Sequence, residues 1–308
     1  MYKYIAKRIL MMIPVVIGVS LLVFTVLKLA PGDVARIVAG SEADDATVEE
    51  IRHELGLDRS YPEQYVRYML GVVRGDMGES YITGKDVFTE IKGRIPTTFT
   101  LAFFGMLVSI VIGIPLGILS ATKQYSVLDN FATVFALIGV SMPNFWMGLM
   151  FILFFSLWLG WLPSGGDGTI RGFIMPALVN GIGAVANLMR TTRSSMLDVI
   201  RQDYIRTARA KGAGEGRVTL HHALKNALIP VVTVIGLHFG TSLGGAVIAE
   251  TVFALPGLGK LMITGINQKD EPIVMGCLIT FACIFSLINL LVDILYAYID
   301  PRIKSQYR

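Results

Sequence analysis

The side chains best suited to chemistry in this chain are spaced in ways that do not support it. His221 and His222 are adjacent, about 100° apart on a helix instead of sharing one metal-binding face, and no H-E-x-x-H occurs. Cys277 and Cys283 fall inside one apolar run, which offers neither a disulfide framework nor a metal cluster, so both are read as packing residues. Pro256-Gly257-Leu258-Gly259-Lys260 lacks the glycine spacing of a phosphate loop and is followed by Leu261 instead of Ser or Thr. Asn289 and Asp293, one turn apart in an apolar run, read as a helix–helix hydrogen-bond clamp, with a proton relay as the alternative. His238 reads as an interhelical donor and Lys28 as a cation whose long stem lets it snorkel into water. With no nucleotide site, catalytic triad signature or carboxylate pair, the chain is expected to be no enzyme and to carry no metal or cofactor of its own.

What remains is a polar, basic stretch from Asp203 to Thr233, read as a helix, a turn at Gly212 and a second helix. The composition around it is that of a chain living in lipid: 53% hydrophobic and 16% charged, against roughly a quarter charged in soluble domains, with a mean hydropathy of +0.61. The net charge of +4 would point to nucleic acid in a soluble domain; here the cations are read as topology signals, and no nucleic-acid partner is expected.

Five runs are long enough to span about 30 Å of hydrocarbon at about 20 residues each: 9–29, 99–120, 131–161, 227–249 and 275–299. A sixth, 173–189, is short and contains Pro176, Asn180 and Asn187. Lys and Arg of short loops stay in the cytoplasm. Counting the sixth run as a span puts Lys3, Lys7, Arg8, Lys123, the cations from Arg190 to Lys225, and Arg302, Lys304 and Arg308 on one side. Six spans with both termini cytoplasmic is the expected topology. The first run is too long for a removed signal peptide and lacks a small-residue cleavage site, so residues 1–30 are read as a retained anchor.

Residues 31–97 form the one sizeable outer piece, and residues 98–308 the five-span core with its cytoplasmic loop at 190–226. Within the outer piece Thr47 and Glu50 read as a capping box at the head of a helix that Gly56 stops. Pro62 opens a second helix and Gly75 ends it. Val87, Ile91 and Ile95 read as a short amphipathic helix lying on the outer membrane surface. The piece serves either as a cap that stabilises the bundle or as a docking surface for an extracytoplasmic partner, the reading preferred here. In the fifth span Gly236, Gly240 and Gly244 recur every four residues, with Gly245 adjacent, for close helix packing or, alternatively, to widen a substrate path. Pro143 is expected to kink the third span.

The stretch from Asp203 to Pro230 resembles the cytoplasmic loop of ABC-importer permeases. Aligned on Gly212, the general E-A-A-x-x-x-G motif falls on Arg206, Thr207 and Ala208, keeping only the last alanine and the glycine. The wording R-T-A-R-A-K-G followed by H-A-L-x-N-A-x-x-P is that of the peptide and nickel branch. The blocks LKLAPGD (27–33), LGLD (55–58), RGDMGES (74–80), ETVFALPGLGK (250–260) and NLLVDILYAYIDPR (289–302) resemble the same branch.

That resemblance implies an all-α integral membrane protein with the type I ABC-importer permease fold, in the bacterial inner membrane. It implies a coupling helix in which Tyr204, Arg206, Thr207, Ala208, Ala210 and Lys211 form or flank the contact with a cytoplasmic ATPase and Gly212 forms the turn. The partners implied are a homologous permease, two cytoplasmic ATP-binding subunits that hold ATP and Mg²⁺, an extracytoplasmic solute-binding protein and membrane lipid. The cargo implied is a di- or oligopeptide, glutathione or a nickel chelate, moved by alternating access. An ion-coupled secondary transporter is the rival, for which no internal repeat is visible.

Overall fold

The computed structural model describes residues 2–40 and 42–299; Arg302, Lys304 and Arg308 lie outside the described residues. The elements are α1 (Tyr2–Leu29), α2 (Val34–Ala39), α3 (Asp45–Glu54), α4 (Tyr61–Val73), α5 (Val87–Thr122), α6 (Val127–Ser141), α7 (Asn144–Phe151), α8 (Arg171–Ile200), α9 (Asp203–Ala210), α10 (Glu215–Arg217), α11 (Leu224–Val252), α12 (Leu258–Gln268) and α13 (Glu271–Ile299). A π-helical stretch, Ile152–Trp158, extends α7, and another, Val218–Ala223, joins α10 to α11. Among the described residues five helices are long and apolar enough to cross a membrane, or six when α6 and the extended α7 count as one bent span. Contacts group Tyr2–Thr98 with Pro256–Ser286 in one compact unit, and Phe99–Leu255 with the segment from Leu287 onward in another.

In the first unit, Tyr65 of α4 seats α1 by donating to the Ile17 carbonyl (3.2 Å), with its hydroxyl 2.9 Å from Ser20 Oγ and its ring 5.4 Å from Phe24. Lys28 does not snorkel. Its Nζ meets Glu271 Oε2 at 2.6 Å, with the two side chains 11% and 13% exposed, because a carboxylate within reach compensates a charge that would otherwise need water. The cap of α3 also differs from expectation. Asp44, not Thr47, is the N-cap and its carboxylate accepts the Thr47 N–H at 3.1 Å; Asp45 and Ala46 already lie in the helix, which leaves Thr47 in the first turn. The Thr47 side chain, and with it this backbone bond, holds the Asp44 carboxyl below its usual range. Gly56, at φ +66°, ends the helix as expected.

Val87 and Ile91 do not head a separate surface helix: α5 runs unbroken for 36 residues, about 54 Å at 1.5 Å per residue. Their apolar face packs on Leu258, Leu261, Ile273 and Cys277 instead of on lipid. That protein cover lets one helix continue past the hydrocarbon thickness.

The second unit is organised around α8, which packs against α6, α7 and α11. Its core joins Leu101, Met147, Met175, Val179, Ala246, Phe253 and Leu255. The weak sixth run of the sequence is thus a full 30-residue helix. At Pro143 the third span does more than kink. Met142 is extended (ψ 128°), as a residue before proline prefers, and the axes on either side differ by 101°.

Candidate functional site

The connection from α8 to α11 carries most of the residues singled out in the sequence. Gln202 leads into α9, where Asp203 in the first turn and Arg209 in the last suit the helix dipole. Eight residues are too few to hold a helix in water unaided, so α9 depends on what it docks against. Ile205 is fully buried and packs with Met196, Val218, Ala223 and Ala227. Asn226 Nδ2 donates to the Tyr204 hydroxyl at 2.8 Å. The Arg209 guanidinium forks onto both Glu215 carboxylate oxygens, at 2.7 and 3.1 Å.

Gly212 closes the helix at φ +84°. Its N–H bonds the Arg209 carbonyl (2.9 Å) and the next N–H, of Ala213, bonds the Ala208 carbonyl (3.2 Å), the pair of contacts that defines a Schellman stop. Nothing lies within 4 Å of where a Cβ would sit. The need for glycine is therefore conformational, since only glycine adopts this φ without strain.

With its apolar side docked, α9 turns Tyr204, Arg206, Thr207, Ala210 and Lys211 outward together with Gly212, while Ala208 is half-buried. Arg206 stands 3.9 Å from the exposed Asp203 carboxylate. The stem beneath α9 is braced by Arg193, which donates to Asp129 Oδ2 and Oδ1 (3.0 and 3.1 Å) and to Ser120 Oγ (3.0 Å). Asp129 further accepts from the Tyr125 N–H (3.0 Å) and from Ser120. This ties the end of α5 and the start of α6 to α8.

In the sequence Arg193 reads only as a topology signal and Ser120 only as the end of an apolar run, and no local pattern singles out Asp129. Ile205 carries a signal that could have marked it, as the one large aliphatic residue in the polar run 201–217.

The three glycines of α11 do not share one groove. A Cβ on Gly236 would come within 2.7 Å of Val292 Cγ1, whereas Gly240 is buried and Gly244 is exposed with nothing within 4 Å. Pro143 lies apart from them, as the N-cap of α7. Among the described residues no three His, Cys, Asp or Glu side chains gather as a metal site requires.

Residues 113–305 match the family described as the inner membrane component of binding-protein-dependent transport systems, and residues 1–102 match the N-terminal family of such membrane components. The chain is 42% identical to the dipeptide transport system permease protein of Alkalihalophilus pseudofirmus, over 99% of this chain and all of that one. It is also 42% identical to the glutathione transport system permease protein of Pectobacterium atrosepticum, over 99% of both. A solved inward-facing methionine ABC transporter superposes at a TM-score of 0.58 with 18% identity, covering 68% of this chain and 96% of that chain, a likeness of fold alone.

Proposed function

This chain belongs to the inner-membrane components of binding-protein-dependent transport systems, a multi-pass permease of the peptide-type ABC importers, and we propose that its cargo is a peptide or a related small solute such as glutathione. In this reading it pairs with a second permease, receives solute from an extracytoplasmic binding protein and is driven by two cytoplasmic ATP-binding subunits. Tyr204, Arg206, Thr207, Ala208, Ala210, Lys211 and Gly212 make the coupling contact. The observation that carries the proposal is α9 itself: a short helix held by Ile205 from below and presenting an exposed, basic upper surface.

A rigid stem under such a helix passes displacement into the bundle through Arg193 and α8. Coupling then requires that the bundle have two packings whose balance the ATPases shift. In this reading the repacking takes place at the close approach of Gly236 to Val292 and at the break at Pro143.

Gly212→Pro tests the coupling role. Proline cannot adopt φ +84° and has no N–H for the Arg209 carbonyl. With membrane insertion and partner assembly verified separately, peptide uptake and cargo-stimulated ATPase should both collapse. Retention of both would refute it.

A further inference from the structure

Inside the second unit, four helices leave a cavity of about 160 Å³. Its polar walls are Ser109 of α5, Asn144 at the start of α7, Asn180 of α8, and His238, Thr241 and Ser242 of α11. Asn180 Nδ2 is shut off from solvent and has no hydrogen-bond partner among the described residues, although buried donors are nearly always satisfied. The space around the Asn180 amide is kept by Gly105, where a Cβ would stand 2.9 Å from that Nδ2. The hydroxyls are committed in one direction only. Ser109 donates to the Met106 carbonyl (2.8 Å), Ser242 to Phe239 (2.9 Å) and Thr241 to His238 (3.1 Å), so their lone pairs remain to accept.

We propose that this cavity is a subsite for a peptide bond of the transported solute, an inference that rests on the peptide-importer reading. A peptide bond offers one C=O for the orphaned Asn180 donor and one N–H for the ring of hydroxyl and amide oxygens. No Lys, Arg, Asp or Glu lines the cavity, so a carboxylate or an ammonium placed there would lack a counter-charge. A single imidazole without thiolate or carboxylate ligands does not favour a metal ion. Asn144 directly follows the 101° break at Pro143, which sets one wall of the cavity at that bend. Irregular backbone at membrane depth is tolerated where it lines such a space.

The test uses the importer reconstituted with its native partner subunits, with dialanine as probe and its depsipeptide, alanyl-lactate, as the analogue lacking the peptide N–H. Asn180→Leu removes the amide at similar volume. It should lower the uptake of dialanine and of the depsipeptide alike by about tenfold, the scale of one lost hydrogen bond, because both keep the C=O. Thermal stability should be unchanged or higher, because the amide has no partner to lose. A structural amide would instead lose stability and uptake in parallel, and that result overturns the subsite. Should Asn180→Leu fail to assemble, Ser109→Ala, which deletes one acceptor for the peptide N–H, should lower dialanine uptake and weaken the preference for dialanine over the depsipeptide. A wild-type complex that hydrolyses ATP yet takes up neither compound refutes the peptide reading and the subsite with it. Normal dialanine uptake by wild type, matched by the variant, refutes the subsite alone.

Discussion

Replacing Ile205 by alanine isolates the docking of α9 from its outward surface. The side chain is fully buried among Met196, Val218, Ala223 and Ala227, and truncating such an isoleucine costs about 2–5 kcal/mol. At 1.4 kcal/mol per factor of ten, the ratio of docked to undocked α9 falls roughly 30-fold at the lower figure and more than 1000-fold at the upper. A helix of eight residues has no reserve of its own to offset this. The readout is hydrogen exchange of the amides from Thr207 to Ala213 in the purified complex, which should accelerate at least tenfold, together with uptake and ATPase stimulation, which should fall together. Arg209→Ala is the matched control. It removes only an exposed ion pair with Glu215, and exchange should change far less. Faster exchange with undiminished uptake would refute the idea that a docked α9 transmits force. Unchanged exchange would refute the energetics of docking.

Two further outcomes follow from geometry in the same unit. Gly236→Ala sets a methyl against Val292, and overpacking of this kind costs about 1–3 kcal/mol; the added Val292→Ala should recover most of the lost thermal stability, and a double variant no better than the single would dismiss the contact. Arg193→Ala strands the buried Asp129 carboxylate, at about 3 kcal/mol for an uncompensated charge, whereas Arg193→Ala with Asp129→Ala should melt closer to wild type, and strictly additive losses would count against the pair.

The parts of this structure that were legible in the sequence are those governed by local chemistry. Gly212 and Gly56 each end a helix where a left-handed residue is required, and the run 203–212 folds as the helix and turn its composition implied. The parts that were not legible depend on residues far apart in the chain. Lys28 reads as an interfacial cation until Glu271 stands beside it, 243 positions away. Val87, Ile91 and Ile95 carry the apolar periodicity of a surface helix, and nothing local distinguishes a lipid cover from one made of Leu258 and Ile273. The glycine stripe of α11 has the spacing of a packing seam, yet its members meet Val292, the protein interior and open space in turn.

Hydropathy misleads most where the protein supplies its own solvent. α8 is the least apolar of the five long helices and has 56% of its most apolar window buried, against 11% for α1. A helix surrounded by other helices need not match lipid. It can hold Asn180 beside a cavity and end in an arginine that braces Asp129, because neighbouring side chains, not acyl chains, meet those groups. A hydropathy scan therefore ranks α8 last for the same reason that it stands at the centre of the fold. For a permease of this kind the weakest span, flanked by strongly apolar ones, is where polar contacts to a moving solute are best sought. The concentration of amides and hydroxyls around Asn180 follows from that division of labour between helices that face lipid and helices that face one another.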